Sequence, residues 1–425
     1  MNKITQRHIE VYADWVGLSE PTLMGVLLAT PARGKEVFSF EYQPDWLRRQ
    51  DARVLDPSLQ LFHGAQYPPR DQENFSMFLD SSPDRWGRFL MNRREALMAR
   101  IDGRKERKLL ESDYLLGVYD GHRIGGLRFR TNPKSPFLDN NQAIASPPWA
   151  SLRELEQASL AIEKPGNENN TDYLKWLKML IAPGRSLGGA RPKASVVDEK
   201  NHLWIAKFSS SNDEQDVGAW EMVAYKLARR AQITMAEAKL CKFGRRHHTF
   251  LSKRFDKTAS DQRIHFASAM TLLGHTDGDN AKNGASYLEL VQFIQQHGAT
   301  PTQDLEQLWR RIVFSICVSN VDDHLRNHGF LLTKTGWVLS PAFDINPVAH
   351  GEGLTLNISE TDNSQNLELV KEVAEDFYVT SGRAIDIIAE VVTAVRHWQK
   401  EAKTIGLSMH EQNLMAKAFR VADEY

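Results

Sequence analysis

The chain has 425 residues, 41% hydrophobic and 25% charged, more than one hydrophobic core usually organises, so two or three packed subdomains are expected. Its 53 Lys and Arg against 54 Asp and Glu leave a net charge of −1, which removes the whole-molecule electrostatic footprint of a nucleic-acid binder. Two cysteines, Cys241 and Cys317, exclude a disulfide framework and a four-cysteine metal site; with no window near the ~18 apolar residues of a membrane span and no signal-peptide core, a reducing cytoplasm away from membranes is the expected setting.

In chain order, residues 9–15 (IEVYADW), 22–29 (TLMGVLLA) and 35–42 (KEVFSFEY) are strand-like runs separated by glycines and prolines. Trp46 and residues 55–69 continue as loop. Trp86, Phe89, Leu90 and Leu97 recur at helical spacing, which predicts a helix with Asp80 to Ser82 as cap candidates and Pro83 in its first turn. Residues 114–130 read as a closing hairpin, so 1–130 form an N-terminal β-rich subdomain. Residues 131–150 concentrate Pro, Asn and Ser and read as a linker.

Helices are expected at 152–162 and 173–181, then a glycine-containing loop and two strands, 194–198 and 203–208, joined by a polar turn. An amphipathic helix at 218–231 carries Glu221, and two further strands flank Gly244. Residues 151–261 thus have the layout of a nucleotide-binding N-lobe, and 262–425 are assigned to an all-helical C-lobe holding the catalytic and metal residues.

The chemistry is expected between Ser319 and Pro347. Leu305, Leu308, Ile312, Val313 and Ile316 keep helical spacing until Asn320, Asp322 and Asp323, whose short polar side chains compete for backbone groups and stop the helix. Phe330 to Leu332 and Trp337 to Leu339, joined by Lys334, Thr335 and Gly336, predict a hairpin that returns Asp344 to the neighbourhood of Asp322 and Asn327. Two carboxylates and an amide oxygen suit Mg²⁺, a hard cation that completes its shell with phosphate and water. The order Asp, four residues, Asn, hairpin, Asp is also that of a protein-kinase catalytic loop and its metal aspartate. Upstream, Gly188, Gly189, Lys193 and Lys207 stand in the order of a phosphate loop and strand lysine, and Glu221 in that of the helix glutamate that faces such a lysine.

Each signal has a bland counterpart. Asp322 and Asn327 alone read equally well as helix and turn caps, a glycine pair as turn geometry, and a strand lysine as a solvated side chain. His324 and His328 invite a zinc reading, but that spacing shares a face only on a helix, the glutamate of HExxH is missing, and no third ligand is evident. His247 and His248 fall in a strand-like run whose alternation sends the rings to opposite faces. The joint order of the parts is what favours phosphotransfer.

NVDDHLRNHGFLL and LSPAFDINP, together with SLGGARPKA, IAKF and KRFDK, resemble the signature elements of the HipA family of serine/threonine kinases, toxins of bacterial toxin–antitoxin pairs. FLDSSPDRWGR and GGLRF are similar to that family's N-terminal subdomain. The resemblance implies an α+β, protein-kinase-like bilobal fold with an added N-terminal β-rich subdomain, using ATP and Mg²⁺. It makes Asp322 the catalytic base, Asn327 and Asp344 the metal ligands and Lys207 the phosphate lysine, with Glu221 and His324 in support. Ser186, Leu187, Gly188, Gly189, Ala190 and Lys193 would surround the phosphates, and Lys253 to Phe255 would form the hinge beside adenine, Lys253 standing where the family often has Glu. Ser186 would be the serine phosphorylated by the kinase itself, a dianion that displaces the loop and shuts off ATP binding. The implied partners are a protein substrate such as an aminoacyl-tRNA synthetase and a helix-turn-helix antitoxin, with operator DNA reached through the antitoxin.

The expected function is therefore an ATP- and Mg²⁺-dependent protein serine/threonine kinase. Its rivals are an inactive pseudokinase serving as an antitoxin-bound co-repressor, and a small-molecule kinase.

Overall fold

In β1 (Arg7–Ala13) the alternate residues Ile9, Val11 and Ala13 are fully buried, the period-two pattern of a sheet with one face on a core. β1 pairs antiparallel with β2 (Thr22–Ala32), and β2 with β3 (Lys35–Tyr42). The other edge of β1 pairs with β4 (Leu127–Arg130), so the sheet order is β3-β2-β1-β4. The computed structural model of the protein describes residues 6–142, 145–164, 166–170, 172–181, 189, 191–244 and 247–425.

The sheet's inner face meets an aromatic cluster in which Phe78 lies 5.7 Å from Phe40 and 5.9 Å from Phe129, ring to ring. On the outer face Arg128 pairs with Asp14 at 3.1 Å and with Asp120, and its guanidinium stacks 3.8 Å over the Phe137 ring. Arg123 is wholly buried and donates to the carbonyls of Ser81 (2.7 Å), Val118 (3.0 Å) and Leu138 (3.0 Å). Burial pushes its guanidinium down to about 9, and the three carbonyls supply part of the solvation it has lost.

Two expectations in this region are corrected. α1 (Arg85–Ile101) starts three residues later than Ser82, because Asp84 is its cap and accepts from Gly87 N at 2.9 Å; Ser82 precedes a proline, which disfavours helical geometry there. The predicted hairpin at 114–130 contains one strand only. Its first part belongs to α2 (Glu111–Leu116), where the Asp113 carboxylate takes the Leu110 N–H at 2.9 Å, and β4 finds its partner in β1 instead of next to itself.

The chain divides into two compact units, one formed by Met1–Ser211 with Asp256–Ala267, the other by Asn212–Phe255 with Ser268–Tyr425. Residues 131–150, read as a linker, lie inside the first unit and are tied to it, since Leu138 N donates to Phe129 O at 2.8 Å and Asp139 N to Val118 O at 2.8 Å. The same unit holds α3 (Leu152–Glu163) and α4 (Tyr173–Ile181), then β5 (Lys193–Val197) and β6 (Leu203–Lys207), which pair antiparallel with Lys193 opposite Lys207. Residues 256–267 return to it late in the chain. Asp256 accepts from Gly125 N at 2.9 Å, His265 Nδ1 from Gly126 N at 3.2 Å, and the buried Arg263 donates to Arg123 O at 3.1 Å. Burial holds His265 down at about 3, so its ring stays neutral and able to accept.

The second unit contains α5 (Val217–Arg230), β7 (Ala238–Cys241) and β8 (Thr249–Lys253). A three-residue strand, β9 (Phe266–Ser268), follows in the chain, then α6 (Tyr287–His297). Its centre is α7 (Pro301–Cys317), with Leu305, Leu308, Trp309, Ile312, Val313, Phe314, Ile316 and Cys317 all without exposure. A helix apolar on this many sides belongs inside a core. Even its arginines are buried: Arg311 donates to Ser340 O at 2.6 Å, and burial lowers its guanidinium to about 10. After α7 come the antiparallel hairpin of β10 (Gly329–Leu332) and β11 (Trp337–Leu339), in the register Phe330 to Leu339, then α8 (Ser381–Val395) and α9 (Trp398–Ile405). The region 262–425 is thus not all-helical: β9 and the hairpin of β10 and β11 are strands.

Candidate active site

The turn after α7 is built by its own polar side chains. Ser319 takes a left-handed φ of +50° and donates its hydroxyl to Ala418 O at 2.9 Å. Asn320 donates from its backbone N to Ser315 O at 2.8 Å and accepts at Oδ1 from Asn346 N at 3.1 Å. Val348 N also donates to Ser319 O at 3.2 Å. These two links fasten the segment beyond the hairpin, with Asp344, to the turn that carries Asp322 and Asn327.

Within that turn Asp322 is exposed while Asn327 is buried. The Asn327 amide donates from Nδ2 to Asp322 O at 3.0 Å, which fixes the direction of its other end. That end, Oδ1, is buried and meets no donor among the described residues, and Asn346 Oδ1 is in the same position. A buried acceptor without a donor is costly. A cation liganded by oxygen would satisfy it, and the donor set available, two side-chain amide oxygens and the Asp344 carboxylate, fits Mg²⁺. Asp344 itself sits at φ +58°, uncommon for a residue with a Cβ and found where surroundings over-determine the backbone. They do so here: Ala342 bridges to Met235, Phe343 lies 5.7 Å from the Phe255 ring, and Asn346 Nδ2 donates to Asp344 Oδ1 at 3.1 Å.

Beneath the turn lies a buried network absent from the sequence reading. Asp323 accepts from Tyr287 OH at 2.7 Å and Ser315 Oγ at 3.3 Å, and its other oxygen is 3.1 Å from His328 Nε2, an ion-pair distance without hydrogen-bond alignment. Burial alone would raise this carboxyl, but His328 and the Tyr287 hydroxyl outweigh it and hold the group below the usual range. Tyr287 is pushed well up by burial and by the neighbouring carboxylate. Adjacent aspartates therefore differ in kind: Asp322 faces out, and Asp323 anchors the loop from below. His324 lies on the turn, half-buried, and its backbone N donates to Asp322 O at 3.0 Å. His247 and His248 lie in the connection before β8, not in a strand, and His248 Nδ1 is 2.5 Å from Asp216.

The remaining candidates are distributed as follows. Lys253 ends β8 and pairs with Glu237 at 3.3 Å, and Phe255 packs on Phe343 beside Asp344. Glu221 is buried on α5 in the second unit; Lys207 ends β6 and Lys193 begins β5 in the first. Gly189 has a φ of +94°, a conformation that glycine adopts without penalty. Ser186, Leu187, Gly188 and Ala190 lie outside the described residues.

A family description, the HipA-like C-terminal domain, matches residues 185–398, half of the chain and the part that holds the turn, the hairpin and Asp344. The chain belongs to the HipA family. The HipA-family chain aligns over 98% of its length with 97% of a chain in the solved complex of the Shewanella oneidensis MR-1 toxin–antitoxin system HipA, HipB and its operator DNA, at 17% identity and a TM-score of 0.66. That likeness gives the fold, the mixture of helix and sheet of the HipA chain. A Haemophilus influenzae (strain ATCC 51907 / DSM 11121 / KW20 / Rd) protein provisionally named a kinase is 25% identical over 180 residues, 38% of this HipA-family chain and 52% of the relative, so the chain spans about half the length of the curated relative it matches. Among the described residues no helix is long and apolar enough to cross a membrane.

A pH-sensitive contact lies elsewhere in the same unit of the HipA-family chain. His275 reaches Glu289 at 2.9 Å and Asp279 at 3.1 Å, and the hydrogen bond to Glu289 raises it above the ordinary imidazole value against the opposing effect of burial. A group raised on folding adds stability that is complete below its unfolded pKa and is lost as pH climbs through the folded one. Thermal melts of wild type and His275→Gln should therefore differ more at about pH 5.5 than at about pH 9; an equal gap at both would contradict the raised pKa.

Proposed function

We propose that this HipA-family chain is an ATP- and Mg²⁺-dependent protein serine/threonine kinase that acts as the toxin partner of a DNA-binding antitoxin. The observation that carries the reading is the buried Oδ1 of Asn327, which meets no donor among the described residues and is aimed by the bond from its amide to Asp322 O. Capping does not account for it, since a capping asparagine uses its oxygen to accept from a backbone N–H.

In this reading Asp322, exposed at the head of the turn, takes or orients the proton of the substrate hydroxyl. Asn327 and Asp344 hold Mg²⁺, which when bound spreads and neutralises phosphate charge. Lys207 is the phosphate lysine of this reading, and Glu221 has the place in chain order of a kinase helix glutamate. The hinge Lys253 to Phe255 borders adenine, and the Phe255 contact to Phe343 links it to the metal segment. Ser186 is the residue the kinase modifies on itself, and a translation protein such as an aminoacyl-tRNA synthetase is its substrate. Catalysis by such a site is placement and charge stabilisation.

The test is incubation of unmodified protein with γ-labelled ATP and Mg²⁺, alone and with a cell extract, followed by mapping of the label. Mg²⁺-dependent label on the Ser186 peptide or on a protein of the extract is the expected result. Unlabelled protein in both arms would replace the kinase with a nucleotide-independent co-repressor.

A further inference from the structure

The N-terminal subdomain carries a buried charge pair that reaches the phosphate-binding strands. Lys193 Nζ is 3.2 Å from Asp84 Oδ2, the side chains being 7% and 1% exposed. The same ammonium group donates to Gly189 O at 3.4 Å, and Trp86 Nε1 donates to Lys193 O at 3.0 Å. A Cβ built on Gly189 would stand 3.2 Å from Lys193 Nζ. So the first residues of α1 grip Lys193 at both ends, and Lys193 in turn holds the carbonyl of the loop glycine.

Across the β5–β6 ladder Lys193 is opposite Lys207, and directly opposed residues project from the same face. Two lysines placed so are destabilising by themselves. Asp84 sets an opposite charge beside Lys193, 3.2 Å from its ammonium. The two lysines thus share one face of the β5–β6 ladder.

We infer that Asp84, contributed by the N-terminal subdomain, is a positioning residue for nucleotide binding that acts by holding Lys193 against the phosphates. This rests on the kinase reading above for the identity of the ligand. It assigns a duty in nucleotide binding to a subdomain that the matched family region, beginning at residue 185, does not include.

Asp84 also caps α1, so the variant must keep the cap: Asn caps as well as Asp, and Asp84→Asn removes the charge alone. ATP affinity of the full chain, and KM and kcat for labelled ATP, should be measured for wild type, Asp84→Asn, Asp84→Glu, Lys193→Gln and the double variant Asp84→Asn with Lys193→Gln. Loss of one charge-assisted contact predicts a rise in Kd and KM for ATP on the order of tenfold in Asp84→Asn. Under the same assignment kcat stays within about twofold, since a group that binds substrate and transition state alike changes KM alone. Asp84→Glu should recover part of the affinity, and the double variant should bind no worse than Lys193→Gln, as residues acting as one unit do. Wild-type affinity in Asp84→Asn, or losses that simply add in the double variant, would overturn the assignment. A wild-type chain that binds no ATP would instead overturn the kinase reading itself, an outcome told apart by the wild-type measurement alone.

Discussion

Asp322→Gln is expected to lower phosphotransfer by about 10²–10⁴-fold, the usual contribution of a positioned acid–base group, while ATP binding persists. The reason for keeping binding is geometric. Asp322 contributes its backbone carbonyl to Asn327, and that carbonyl survives the substitution. Because the side chain is exposed, the change should alter stability by no more than about 0.5 kcal/mol. Single-turnover transfer of label, alongside a nucleotide-binding assay and a melt, checks all three parts. Full activity in the variant would remove Asp322 from the mechanism.

One residue further on, Asp323→Ala should behave in the opposite way. It removes a buried carboxylate that faces His328 at 3.1 Å and receives the Tyr287 hydroxyl at 2.7 Å. Deleting one member of such a buried group typically costs about 3–5 kcal/mol, because the partners remain buried and unpaired. Denaturant unfolding followed by the intrinsic fluorescence of the ten tryptophans, among them the buried Trp309 of α7, gives the readout. Activity should fall with the fold, not ahead of it. A variant as stable as wild type would show that the network under the turn carries no weight.

The contrast between these neighbours marks the limit of what the chain disclosed by its letters. The helix at 173–181 and the hairpin register from Phe330 to Leu339 follow from local spacing, and the structure has both. So does the stop after α7, where Asn320 satisfies Ser315 O through its own backbone. Local patterns say nothing, however, about which of two adjacent aspartates turns inward; that is decided by Tyr287, 36 residues upstream of Asp323. The failed hairpin at 114–130 has the same origin, since β4 pairs with β1, more than a hundred residues earlier. Lys193 looked like a phosphate lysine from order alone. Its hold by Asp84, 109 positions away, was not visible, because Asp84 stood outside the cap candidates Asp80 to Ser82 and local spacing says nothing of what its carboxylate meets so far along the chain.

The return of residues 256–267 to the first unit also governs when that unit can be completed during synthesis. Arg263 donates to Arg123 O across 140 residues of chain, and His265 Nδ1 accepts from Gly126 N across 139. At about 5–20 residues per second, a ribosome needs roughly seven to thirty seconds to span that distance. Through this interval Gly125, Gly126 and the carbonyl of Arg123 lack the partners they have in the finished protein. A nascent chain of this build stays incomplete in its first unit until synthesis is well past its midpoint.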